Sequence, residues 1–130
     1  MEDRLIYKEL SYDIVGILFE VYNTLGYGYK EKYYEKAIEH QFVVKGVSYV
    51  NQAAYNVSMN GQIIARQYID FIVDKKIVLE IKKGNNFSKQ NMDQVKQYLQ
   101  VTGMLLAILA NFMPKGVKFI RVLNPNNLHD

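Results

Sequence analysis

The sequence predicts an α/β fold, a mixed sheet flanked by helices. Two helix-period segments come first, three strand-like segments joined by tight turns follow, and a third helix then separates two further strands. The stretch Gln67 to Lys83, QYIDFIVDKKIVLEIKK, lies at the centre of that order and carries Asp70, Glu80 and Lys82 inside otherwise apolar strands. Burying even a neutral polar group without a partner costs roughly 2–7 kcal/mol, so three charged ones ask for a chemical reason.

The chain of 130 residues fits one domain, residues 1–130, with a single core. Hydrophobic residues make up 49% and charged ones 22%, a globular balance that excludes a disordered or fibrous chain. A formal charge of +3 tilts towards anionic partners but falls short of a dense basic patch. Cysteine is absent, which excludes a disulfide framework, a thiolate nucleophile and a Cys-based zinc site. His40 and His129 are too few and too scattered for a metal site or a catalytic base. The start, MEDRLIYKEL, lacks the regions of a secretion signal. The apolar run Met104 to Ala110 is far shorter than the roughly 20 residues of a membrane span. A cytoplasmic protein with no membrane association is expected.

Leu10, Ile14, Ile17, Leu18, Val21 and Leu25 recur at three- and four-residue intervals, which predicts a helix with one buried face ending at Gly26 and Gly28. A second helix is expected over Lys30 to Lys45, with Tyr34, Ala37, Ile38 and Phe42 inward and Gly46 just past its end. Glu31 falls on the same stripe; a carboxylate in a first turn also suits the helix dipole. Val47 to Met59 and Gln62 to Val73 flank Asn60-Gly61, a strong hairpin signal.

The turn Asp74 to Lys76 leads to a strand over Ile77 to Lys82 and a polar loop to Phe87. Ser88 caps a third helix that turns Met92, Val95 and Leu99 inward and stops near Gly103. Met104 to Phe112 reads as an apolar strand covered on both faces, parallel to the third strand through a crossover. Val117, Phe119 and Arg121 alternate in an edge strand, and the tail NPNNLHD is expected to be loose.

Alternation places Ile69, Phe71 and Val73 on one face and Asp70 with Ile72 on the other; Ile77, Leu79 and Ile81 likewise oppose Val78, Glu80 and Lys82. Matching the apolar trios pairs Val73 with Ile77 and Phe71 with Leu79. Asp70 then falls opposite Glu80, with Cβ atoms roughly 4.5–5.5 Å apart. Two carboxylates so placed repel unless one is protonated or a cation lies between them. Mg²⁺ or Mn²⁺ suits the pair, with the Ile81 carbonyl as a further ligand and Lys82 beside it to orient a water or neutralise phosphoryl charge. The rival reading is an interstrand ion network without chemistry.

An acid on a strand after a hairpin, then Glu-x-Lys on the next strand, then a helix and a strand, resembles the PD-(D/E)xK nuclease superfamily. Leu25, Gly26, Gly28, Glu31 and Tyr34 resemble the Leu-Gly-x-Gly-x-x-Glu-x-x-Tyr pattern of its GxxExxR-type branch of small proteins. Gln94 and Tyr98 resemble the Gln-x-x-x-Tyr that follows the Glu-x-Lys, although Tyr98 also reads as packing. Ile69 precedes Asp70 where the superfamily's name places proline, and Tyr34 stands where the branch's name places arginine.

The resemblance implies a restriction-endonuclease-like α-β-β-β-α-β core, here with an extra N-terminal helix and a C-terminal edge strand. It implies Glu31 as a helix-borne acid, Asp70 and Glu80 as metal ligands, Lys82 as catalytic lysine and Gln94 as a helper. The expected function is Mg²⁺- or Mn²⁺-dependent phosphodiester hydrolysis of DNA or RNA. The alternative is an inactive module of that fold binding nucleic acid or a protein. A homodimer or a targeting partner protein fits either reading.

Overall fold

A computed structural model describes residues 6–127. Met1–Leu5 lie outside the described residues, and with them half of the segment on which the expected lack of a secretion signal rests; so do Leu128–Asp130, including His129. Among the described residues, α1 (Lys8–Leu25) and α2 (Glu31–Lys45) precede β1 (Tyr49–Met59), β2 (Gln62–Val73) and β3 (Ile77–Lys83). Then come α3 (Lys89–Thr102), β4 (Leu106–Met113), β5 (Gly116–Leu123) and a 3₁₀ turn, Pro125–Asn127. The fold is the α/β class read from the sequence: three helices and a five-stranded mixed sheet in the order β1-β2-β3-β4-β5. Only β3 and β4 pair in parallel, across the α3 crossover, and β5 is an edge strand.

The sheet is covered on both faces because its central strands are apolar on both. Ile14, Ile17 and Leu18 of α1, Tyr34, Ile38 and Phe42 of α2, and Phe71, Val73, Ile77, Leu79 and Ile81 of the strands form one buried cluster. Val95, Tyr98 and Leu99 of α3 form the other with Ile69, Val78, Ala107, Leu109 and Val122. Ser88 caps α3 by accepting the Asn91 N–H at 3.0 Å.

Two expectations need correction. Ile69 does not share the face of Phe71 and Val73; it joins the α3 cluster, to which Ile72 also packs. The alternation therefore slips at Asp70, where the opposing β1 residue, Gln52, has φ +54° and is absent from the ladder between Asn51↔Phe71 and Ala53↔Ile69. Nor is the tail loose over its described part. Asn124 is buried and donates through Nδ2 to the carbonyls of Leu99 and Met104, each at 3.0 Å, so the chain after β5 is tied to the end of α3.

Candidate active site

The β2–β3 ladder runs through Val73↔Ile77, Ile72↔Val78 and Phe71↔Leu79, the register read from the turn, and then stops. One step further, side chains take over from the backbone. The Glu80 carboxylate accepts the Asp70 N–H at 3.2 Å, and the Asp70 carboxylate accepts the Ile81 N–H at 2.8 Å. On its other side β3 stays paired with β4 as far as Lys83↔Phe112, so a gap opens between β2 and β3 alone. Asp70 and Glu80 stand at the mouth of that gap, bonded to backbone rather than to each other.

Glu80 is 3% exposed, and Lys82 reaches it with Nζ 3.6 Å from Oε2. Burial, reinforced by the neighbouring Asp70 charge, pushes the Glu80 carboxyl up to about 8. Burial also raises Asp70, with Glu35 adding to it while the Ile81 N–H, Lys82 and Gln52 oppose it. A buried Glu80 and a half-buried Asp70 thus share one nearby lysine, and both resist ionisation.

Gln94 does not touch the carboxylates, but it shares with Lys82 a pocket of about 500 Å³ between the sheet and α3, lined also by Gln67 and Gln97. A larger hollow of about 650 Å³ lies between α1 and the β4–β5 turn and includes none of Asp70, Glu80 or Lys82. Glu31, at the first position of α2, is exposed and accepts the Lys83 N–H at 3.0 Å, tying the helix start to the end of β3. The Ile81 backbone is in place through its N–H on Asp70. Thus Asp70, Glu80, Lys82 and the Ile81 backbone cluster, Gln94 borders them, and Glu31 stands one residue beyond Lys82. Among the described residues no three His, Cys, Asp or Glu side chains form a group suited to a metal ion.

Four residues around this cluster escaped the sequence reading. Glu35 accepts from Asn51 Nδ2 at 2.7 Å and from Gln52, and Gln52 Nε2 also donates to the Asp70 carboxylate at 3.3 Å. Asn51 Nδ2 donates to the Asp70 carbonyl at 3.0 Å as well, so α2 holds the kinked strand through two amides. The available signal was Glu35 itself, one helical turn after Glu31 on the same face. Asn111 breaks the apolar run of β4. It is 1% exposed, lies beside Lys82 in the parallel ladder, and neither side-chain polar atom has a partner.

Tyr34 is wholly buried; its hydroxyl donates to the Gly26 carbonyl at 2.6 Å, and its ring stacks on Phe112 at 4.2 Å and 8°. It is a core residue that fastens the loop before α2. Tyr98 is also core, 2% exposed, with its hydroxyl 3.2 Å from the Tyr68 carbonyl.

A helix, three antiparallel strands, a crossover helix and a parallel strand make up the α/β core, and the two acids stand where its central strands part. Residues 8–122 match the PD-(D/E)XK nuclease superfamily, and the chain belongs to that superfamily. No protein of curated function matches the sequence. Among solved structures the chain is similar to the crystal structure of SSO0001, with 16% identity, TM-score 0.47, and coverage of 89% of this chain and 77% of that one. It is also similar to an alkaline exonuclease from Laribacter hongkongensis, with 9% identity, TM-score 0.41, and coverage of 91% and 84%. No helix among the described residues is long and apolar enough to cross a membrane.

Proposed function

We propose that the chain is a metal-dependent phosphodiesterase that hydrolyses DNA or RNA, and that within its superfamily it falls in the GxxExxR-type branch. The observation that carries the reading is the buried Glu80 beside the half-buried Asp70 where β2 and β3 separate, with Lys82 3.6 Å from Glu80. Membership of a nuclease superfamily supports it.

The donor set fits a hard divalent cation: two carboxylates and the Ile81 carbonyl are all oxygen, and their shared negative charge is what Mg²⁺ or Mn²⁺ would neutralise. Each carboxylate has lone pairs beyond the one given to a backbone N–H. When bound, such an ion polarises a phosphoryl oxygen and acidifies a water. Lys82, freed from Glu80, places its ammonium where charge develops on the phosphoryl oxygens and orients the attacking water. Water adds to phosphorus and gives up a proton to solvent, the bridging P–O bond breaks, and the leaving oxygen takes a proton from solvent. Gln94, on the far wall of the Lys82 pocket, positions the phosphate; Glu31 acts as the helix-borne acid that fixes the end of β3.

A second reading, an inactive module of this fold, is favoured by one observation. Only two carboxylates converge at the cluster, and no group of three metal-ligating side chains exists among the described residues. End-labelled DNA and RNA incubated with the purified protein separate the two. Cleavage that requires Mg²⁺ or Mn²⁺, stops with EDTA and disappears in Lys82→Ala supports the phosphodiesterase. Tight binding with no cleavage under either ion supports the module.

A further inference from the structure

The loop before α2 and the helix's first turn expose three tyrosines within seven residues: Tyr27 at 39%, Tyr29 at 45% and Tyr33 at 45%. Tyr29 meets the buried Tyr34 ring edge-on at 6.1 Å and the Tyr33 ring at 6.4 Å, so it is braced from below while much of each of the three rings stays exposed. The buried Tyr34 pins the loop from below, through its hydroxyl to the Gly26 carbonyl and through the Tyr29 N–H at 3.4 Å, and leaves the other three rings outside. Gly26 and Gly28, at φ +71° and +116°, give the loop a shape that side-chain-bearing residues rarely adopt.

Each end of the aromatic row carries a cation. Lys83 Nζ stands 5.5 Å from the centre of the Tyr27 ring, and Lys32 Nζ stands 5.4 Å from that of Tyr33. The acids nearby are occupied: Glu31 receives the Lys83 N–H, and Glu35 receives Asn51 and Gln52. The local charge is net positive because Lys30, Lys32, Lys36 and Lys83 outnumber Glu31 and Glu35, and Lys83 follows Lys82 in β3, at the strand end that Glu31 ties to α2.

Rigid exposed rings interleaved with lysines are the pattern that stacks unpaired bases while neutralising their phosphates. A duplex keeps its bases stacked on one another and offers such rings little. Resting on the phosphodiesterase reading of the adjoining cleft, we infer that Tyr27, Tyr29 and Tyr33 form a stacking platform for single-stranded nucleic acid. The platform holds the nucleotides next to the bond cut at Asp70, Glu80 and Lys82.

Anisotropy of fluorescein-labelled oligo(dT) and oligo(U), and of a matched duplex, measured in EDTA, tests the platform apart from cleavage. Single strands are expected to bind more tightly than duplex. Tyr27→Ala and Tyr29→Ala should each weaken single-strand binding about tenfold, as loss of one stacked base does, and Tyr27→Phe should not. Removing a tyrosine leaves the salt dependence unchanged, while Lys32→Gln reduces its slope by about 1. Circular-dichroism melts verify that these surface variants fold. Equal binding by wild type and both alanine variants overturns the platform, as does duplex binding at least as tight, or binding to phosphatidylserine vesicles without oligonucleotide binding. Metal-dependent cleavage that persists beside tyrosine-independent binding rejects the platform and keeps the phosphodiesterase. Tyrosine-dependent binding without cleavage keeps the platform and rejects the phosphodiesterase.

Discussion

The Glu80 carboxylate accepts the backbone N–H of Asp70 at 3.2 Å, at the point where β2 and β3 cease to pair. Side chains replace the ladder there, so the local fold and the protonation of two acids depend on each other. Proton counting sets the sign of that dependence. Asp70 is raised to about 6 and Glu80 to about 8, against about 4 for ordinary carboxyls in an unfolded chain. Over that interval the folded state holds more protons than the unfolded one, so stability is fullest at the acid end and falls as pH rises. In EDTA, the thermal midpoint should drop between about pH 5 and pH 8. Glu80→Gln, which cannot ionise, should flatten the drop and stabilise the protein at about pH 8 by about 2 kcal/mol. A midpoint that rises over this range in the wild type would contradict the assignment.

Millimolar Mg²⁺ should reverse that loss. An ion that binds only the folded state at a hundred times its Kd adds about 2.7 kcal/mol. Thermal melts at about pH 8 with and without Mg²⁺ should show a rise of several degrees in the wild type and none in Asp70→Asn. An equal rise in both proteins would place the ion elsewhere.

Gln52 bridges Glu35 and the Asp70 carboxylate without belonging to the acid pair. Loss of a partner that orients a metal ligand typically lowers affinity about 10–100-fold. Calorimetric titration of Gln52→Ala with Mn²⁺ should show a drop of that size, with the melting midpoint in EDTA nearly unchanged. Unaltered affinity would mean that Gln52 only fills the β1 irregularity.

Tyr34 joins packing to loop geometry. Tyr34→Phe leaves the Gly26 carbonyl without its donor and should cost about 1 kcal/mol. Tyr34→Ala, which also empties the stack on Phe112, should cost about 3–5 kcal/mol. Chemical denaturation measures both.

The element order, the strand register from Val73↔Ile77 to Phe71↔Leu79 and the Ser88 cap were legible because each follows from local pattern: period, turn length and cap chemistry. The slip at Asp70 was not. It depends on Gln52 at positive φ in another strand and on Asn51 and Gln52 reaching Glu35, contacts that no sequence period encodes. Asn124 shows the same limit, since its side chain is satisfied by two carbonyls about twenty and twenty-five residues earlier. The acids Asp70 and Glu80 and the lysine Lys82 stood out as charges in apolar strands. Asn111, neutral and inside an apolar run, did not, although its two unpartnered polar atoms lie beside Lys82 in the ladder.

Anomalous scattering from crystals grown with Mn²⁺ reaches the central proposal most directly. The expected result is a peak coordinated by the Asp70 and Glu80 carboxylates and the Ile81 carbonyl, with Lys82 turned from Glu80 towards the pocket shared with Gln94. A peak held only by Glu31 or Glu35, or no peak with Asp70 and Glu80 keeping their backbone N–H, Gln52 and Lys82 partners, would contradict it.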